Sequence, residues 1–160
     1  VDTIAEARRL WAEHGWPQEA LGMSAVTSLM RAQAIVARRV DLALKPLGIT
    51  FARYEVLMLL TFSRRGSLPM SVIGARLQVH QSSVTNAVDR LERAGLVQRT
   101  IHPTDRRAFL VTITSAGRDV AQTATTVLNA EVFAEPGLGA ADAEQLVDLL
   151  ARMRHDAGDF

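Results

Sequence analysis

Apolar residues recur at helical spacing over most of the chain and at strand spacing in one short stretch, and the change of period locates its parts. Ile4, Ala7, Leu10 and Trp11 form one stripe, which predicts a short amphipathic helix ending around residues 15–17, where Gly and Pro interrupt it. Ser24 stands where it can cap a second, longer helix whose apolar positions Val26, Leu29, Met30, Val36, Val40 and Leu44 lead to a stop at Pro46 and Gly48. A third helix is expected over about residues 52–63. It is apolar nearly all round at Val56, Leu57, Met58, Leu59 and Leu60, so it should be buried on most sides.

Arg64, Arg65, Gly66, Ser67 and Pro69 read as a loop, after which Val72, Ile73 and Leu77 mark a short helix ending at residues 78–80. Over residues 81–94 the apolar positions narrow to Val84, Ala87, Val88 and Leu91, and Gly95 supplies a helix stop. Two short helices therefore meet at a tight turn. Beyond it the period drops from about 3.6 to 2. Val97, Arg99 and Ile101 alternate with Gln98, Thr100 and His102, and Phe109, Val111 and Ile113 alternate with Ala108, Leu110 and Thr112. The turn-forming residues 102–107 between them make this a β-hairpin with a cationic tip. Thr114 or Ser115 caps a long helix to about residue 134, Glu135, Pro136 and Gly137 break it, and a last helix carries Leu146, Leu149, Leu150 and Met153.

A length of 160 residues fits one folded body with a real core. With 48% hydrophobic and 22% charged residues, disorder is excluded as the general state. No consecutive apolar run approaches the roughly 18 residues of a membrane helix, the longest being residues 56–60, and no membrane partner is expected. The first ten residues mix Asp2 and Glu6 with Arg8 and Arg9 rather than following a secretory order, so a cytoplasmic location is expected. The absence of cysteine removes disulfides, thiol nucleophiles and thiolate metal sites.

The net charge of +1 hides an uneven distribution. Residues 71–107 hold Arg76, Arg90, Arg93, Arg99, Arg106 and Arg107 against only Asp89, Glu92 and Asp105, whereas residues 108–160 are strongly acidic. The basic part coincides with the two short helices and the hairpin. That order is the order of a winged helix-turn-helix, whose second helix enters the DNA major groove. At 100° per residue, Ser82, Asn86, Asp89 and Arg93 stand opposite the apolar stripe, flanked by Ser83, Thr85 and Arg90. Short hydroxyl and amide side chains let the backbone approach a duplex, and Asn can bond an adenine edge through donor and acceptor together.

A solvated surface helix would show the same polar face, but the cationic hairpin tip offers a second, separate contact. Arg106 and Arg107 are suited to a minor groove, where negative potential is concentrated, with Asp105 placed to hold a neighbouring guanidinium. Enzymatic chemistry lacks its groups. His14, His80, His102 and His155 are scattered, with no zinc-binding histidine pair on one helix, nucleophile elbow or phosphate-cradling glycine loop. Ser82 and Ser83 near His80 have no carboxylate to orient that imidazole. No cofactor and no metal are expected.

Residues 49–119 resemble the multiple antibiotic resistance regulator (MarR) family of winged-helix transcription factors. The resemblance rests on Gly48-Ile49-Thr50, on Ser82-Ser83-Val84-Thr85 with Val88-Asp89-Arg90-Leu91-Glu92, on Gly95-Leu96-Val97 with Arg99, on Asp105-Arg106-Arg107, and on the helix start at residues 114–117. It implies a mainly α (α+β) fold with a two-stranded β wing and long N- and C-terminal dimerisation helices. In that scheme residues 1–48 serve dimerisation, 49–113 form the DNA-binding domain and 114–160 complete the dimer.

What the resemblance implies about function is a homodimer on a pseudo-palindromic operator in double-stranded DNA, acting as a repressor and released by a small aromatic or anionic ligand. Its DNA-contacting residues would be Ser82, Ser83, Thr85, Asn86, Asp89, Arg90, Arg93, Asp105, Arg106 and Arg107. Trp11, on an additional N-terminal helix, and Glu55 resemble the ligand-pocket residues of a urate-responsive branch, although Ala87 stands where that branch carries Arg. His80 replaces the usual Ser or Thr cap and Asn86 a frequent Arg. The alternative reading is a winged-helix module that binds a protein partner without DNA.

Overall fold

The computed structural model describes all 160 residues, Val1–Phe160. The chain forms two compact units, Val1–Leu42 and Ala43–Phe160. In the first, helix α1 (Thr3–Glu13) is capped by Asp2, whose carboxylate accepts the Ile4 N–H at 2.9 Å. It stops as expected, at a Gly15 with φ +99°. Arg31 of helix α2 (Ala20–Leu44) donates to Thr3 Oγ1 at 2.9 Å.

α2 begins four residues before the Ser24 that was expected to cap it. Ser24 Oγ instead donates to the Ala20 carbonyl at 3.0 Å, the back-bond by which a serine is accommodated inside a helix. The helical segment Ala20–Leu47, which ends in a 3₁₀ turn, is also long and apolar enough by length and composition to cross a membrane. This corrects the expectation drawn from consecutive runs. Alanines at 20, 25, 32, 34 and 37 spread moderate hydropathy between short polar residues and leave no long unbroken apolar run.

The second unit is organised on helix α3 (Phe51–Phe62), capped by Thr50, with Val56, Leu57 and Leu60 fully buried. Around it lie helix α4 (Met70–Leu77), helix α5 (Gln81–Arg93), strands β2 (Val97–Ile101) and β3 (Phe109–Ile113), and helix α6 (Ser115–Leu128). Ile73, Val84, Val88, Leu91, Val97, Val111 and Leu128 complete the core. Tyr54 Oη meets Thr125 Oγ1 at 2.8 Å, fixing α3 to α6. α6 passes into a π-helical turn at Asn129–Phe133, and helix α7 (Ala140–Asp156) follows.

β2 and β3 pair antiparallel from Val97↔Ile113 to Ile101↔Phe109, as their alternation requires. The loop expected at residues 64–69 is corrected in part. Ser67–Pro69 forms strand β1, paired with β3 from Ser67↔Thr112 to Pro69↔Leu110, so the sheet has the order β1-β3-β2. Three residues ending in proline carry no alternation of their own. The strand exists because β3 offers a free edge and because Ser67 Oγ meets Thr112 Oγ1 at 2.6 Å, and proline is acceptable there because the strand lies at the sheet edge.

Candidate nucleic-acid interface

α4 and α5 meet across a turn at residues 78–80. Gln78, the only non-glycine residue with positive φ (+54°), turns the chain. His80 then caps α5, its Nδ1 accepting the Ser82 N–H at 3.2 Å and lying 2.8 Å from Ser82 Oγ. The imidazole therefore does the work of the more usual hydroxyl cap. Val84, Ala87, Val88 and Leu91 of α5 are buried, which turns the opposite face outward. Ser82, Thr85, Asn86, Asp89, Arg90 and Arg93 line one shallow polar trough along that face, and Ser83 is exposed beside it. Arg90 Nε donates to Asn86 Oδ1 at 3.1 Å. This uses one acceptor site of the amide and leaves its NH2 donors and a second lone pair.

Asp89 takes a different position from the one its helical projection suggests. Its carboxylate is turned to the root of the wing, where Arg99 Nη1 lies 2.8 Å from Oδ1. That oxygen is buried and has no aligned hydrogen bond, so the contact is an ion pair. Glu92 supplies the aligned partners, accepting the Arg99 backbone N–H at 3.1 Å and Nη2 at 3.0 Å. The Arg99 guanidinium also lies 5.4 Å from the Phe109 ring centroid. One arginine thus joins α5 to both strands of the wing.

The wing tip is held by its own hydrogen bonds. His102 N–H donates to the Ala108 carbonyl at 2.9 Å and Ala108 N–H to the Asp105 carbonyl at 3.0 Å. Asp105 Oδ1 accepts the backbone N–H of Arg107 at 3.0 Å. The expectation that this carboxylate grips a guanidinium is therefore corrected. An aspartate two residues before an N–H closes an Asx-type turn, which leaves the Arg106 and Arg107 side chains exposed. Thr114 anchors the other end of the wing. Its hydroxyl caps α6 through the Gly117 N–H at 3.0 Å and donates to the Gly95 carbonyl at 2.7 Å.

Between the N-terminal ends of α4 and α5 and the returning limb of the wing lies a depression of about 290 Å³. Ser71 and Gln81 share it with Thr85, Arg99 and Arg107. Neither Ser71 nor Gln81 was singled out in the sequence, where the available signal was a polar residue in the first turn of each short helix. The assembled surface offers hydroxyls, amides and guanidiniums, with the trough on α5 and the wing tip as two separate groups of donors. Trp11 and Glu55 belong to separate units. Trp11 packs on Trp16 with ring centroids 5.1 Å apart. Glu55 on α3 is half-buried, and burial pushes its carboxyl above the ordinary carboxylate range. No cluster of three His, Asp or Glu side chains suited to a metal ion is present.

A trihelical core, a tight turn into an outward-facing helix and a β wing define a winged helix-turn-helix protein. The model of the MarR family matches residues 49–109. The MarR family regulator Sco5413 of Streptomyces coelicolor is 50% identical, with 87% of this chain and 96% of that one covered and a TM-score of 0.79. Sco3205 of the same organism, solved in complex with DNA, shares the fold at 23% identity, with 82% and 84% covered and a TM-score of 0.72. CouR of Rhodococcus jostii, solved with p-coumaroyl-CoA, is 28% identical with 83% and 90% covered and a TM-score of 0.68.

Curated helix-turn-helix regulators of Escherichia coli and Bacillus subtilis, one of them a repressor, are 34%, 31% and 37% identical. The chain spans 50%, 68% and 44% of their respective lengths. This chain belongs to the MarR family: it is a transcriptional regulator and not an enzyme.

Proposed function

We propose that the protein binds double-stranded DNA as a homodimer on a pseudo-palindromic operator and represses transcription from it in the cytoplasm. Residues 49–113 act as the DNA-binding domain, and residues 1–48 and 114–160 provide the dimer. α5 enters the major groove with Ser82, Ser83, Thr85, Asn86, Arg90 and Arg93, while Arg106 and Arg107 enter the adjacent minor groove. Asp89 and Asp105 act indirectly, the first through Arg99 and the second by shaping the tip. The observation that carries this reading is the outward presentation of two separate donor groups, on α5 and on the wing, by one rigid element pair joined through Arg99.

Dimerisation is supported by apolar side chains that a single chain leaves exposed. Leu21, Val26, Met30, Ile35, Val36 and Leu42 on α2, and Leu146, Val147, Leu149 and Met153 on α7, all face solvent. Large apolar side chains exposed in number along a helix mark an interaction face, and a second copy would cover these in the way two-fold regulators require. Release by a small aromatic or anionic ligand is supported by the half-buried Glu55 and by the ligand held by CouR. Such a ligand lowers operator affinity by its coupling energy, typically about 5- to 150-fold.

The test is selection of bound fragments from the source genome, followed by mobility-shift titration at several salt concentrations. Affinity is expected to fall steeply with salt. No shift at low salt would replace this reading with that of a protein-binding module.

A further inference from the structure

The wing has two flanks. Its returning limb, Arg107 to Phe109, lines the depression shared with Ser71 and Gln81. Its outgoing limb, His102 to Thr104, lines a second and separate depression of about 630 Å³, together with Leu110 of β3, the α3–β1 turn and Arg76 of α4. Arg64, Arg65 and Arg76 converge on that second depression, and no acidic residue lines it. All three are exposed, and none lies within ion-pair distance of a carboxylate. Elsewhere the chain pairs arginines readily, as with Arg9 and Glu6, Arg99 and Glu92, and Arg154 and Asp159.

The three cations are held in place by the fold. Arg64 and Arg65 sit in the turn closed by the Gly66 N–H donating to the Ser63 carbonyl at 3.2 Å, and the Gly66 carbonyl accepts the Ile113 N–H of β3 at 2.9 Å. Arg76 projects from the last turn of α4. A B-DNA minor groove is only about 6 Å wide and is bordered by a phosphate strand on each side. A hairpin tip inserted in it presents one limb to each strand. The inner strand then meets Arg107, Gln81 and Ser71, and the outer strand meets the flank that carries the three unpaired guanidiniums, groups whose planar fork suits phosphate oxygens.

We propose that Arg64, Arg65 and Arg76 form a second phosphate-binding track on the outer flank of the wing, extending the DNA contact beyond the half-site read by α5. The inference rests on the DNA-binding reading above. It adds a prediction that reading does not make: affinity depends on duplex length outside the wing. The experiment compares the full chain, the triple variant Arg64→Ala/Arg65→Ala/Arg76→Ala and the corresponding triple Lys variant. Each is titrated on two duplexes carrying the same selected operator, one ending at the wing contact and one longer by about one helical turn, about ten base pairs, at each end.

For the unsubstituted chain, the longer duplex is expected to bind more tightly and to show a steeper dependence of log K on log salt, by about 0.9 for each phosphate neutralised. The Ala variant should bind both duplexes with the short duplex's affinity and slope, and the Lys variant should keep most of the gain from length. A length-dependent gain that survives in the Ala variant overturns the track. So does equal loss on both duplexes, or no length effect in the unsubstituted chain. Failure of the unsubstituted chain to bind either duplex removes the DNA-binding reading itself, and the track with it.

Discussion

Arg99 Nη1 lies 2.8 Å from Asp89 Oδ1, so α5 and the wing are joined through a charge rather than through apolar packing alone. Both side chains are partly exposed, at 25% and 36%. Solvent screening therefore limits the pair's contribution to stability to about 0.5–1 kcal/mol. Its larger effect is on geometry, because Asp89 and Glu92 together hold Arg99 of the wing against α5, and the proposed complex needs both elements to reach neighbouring grooves. We expect Asp89→Ala to lower thermal stability only slightly while weakening operator binding by about tenfold, or about 1.4 kcal/mol. Equal operator affinity in the variant, measured beside its melting curve, would show that the ion pair does not set that angle.

Asn86 and Arg107 should separate base reading from phosphate or groove contact. Asn86→Ala is expected to cost about 1–3 kcal/mol, concentrated at one base position. Arg107→Ala should weaken cognate and scrambled duplexes alike and reduce the salt slope by about 1. A panel of single-base operator variants distinguishes the two, and uniform loss in Asn86→Ala would remove its reading role.

Gly117 is a packing requirement of the wing exit. A Cβ at this position would run into the Leu96 carbonyl and approach Ile113 Cγ1 at 2.8 Å. Backbone on one side and a sheet residue on the other leave little room to yield, so Gly117→Ala should destabilise the chain by about 1–3 kcal/mol. A calorimetric melt indistinguishable from that of the unsubstituted chain would contradict this packing.

Burial raises the pKa of Glu55 in the folded state. Between the unfolded and folded values the folded chain holds the extra proton, so this group's contribution to stability falls as pH rises through that window. Glu55→Gln should therefore raise the melting temperature at pH 7, and the difference should vanish below about pH 4, where the carboxyl is protonated in both states. A gain independent of pH would assign the effect to something other than ionisation.

The helix-turn-helix was legible because Val84, Ala87, Val88 and Leu91 mark a single buried face, and what they leave over is the polar face that the structure turns outward. The wing was legible from its alternation and from the cationic turn between its limbs. Strand β1 was not, since three residues ending in Pro69 become a strand only by pairing with β3. The positions of the acidic groups were hidden for a related reason. Asp89 points at Arg99, ten residues later and on another element, and helical projection gives a side chain's direction around the axis but not its partner. Asp105 binds a backbone N–H, a choice made by the turn and invisible in residue type. α2 was legible from its helical spacing, but its length and mean hydropathy were not, because consecutive apolar runs do not register the alanines spread between its short polar residues.

The placement of α5 and the wing in adjacent grooves can be tested by site-directed cleavage, and the absence of native cysteine makes single-site labelling specific. Thr104→Cys on the wing and Ser82→Cys at the start of α5 would each carry an iron-chelate cleaving group on the full chain bound to its selected operator. The wing label is expected to cut in two patches related by the operator's symmetry, at the outer minor grooves, and the α5 label to cut nearer its centre. Diffuse cutting by both labels, or the same pattern from each, would contradict the account.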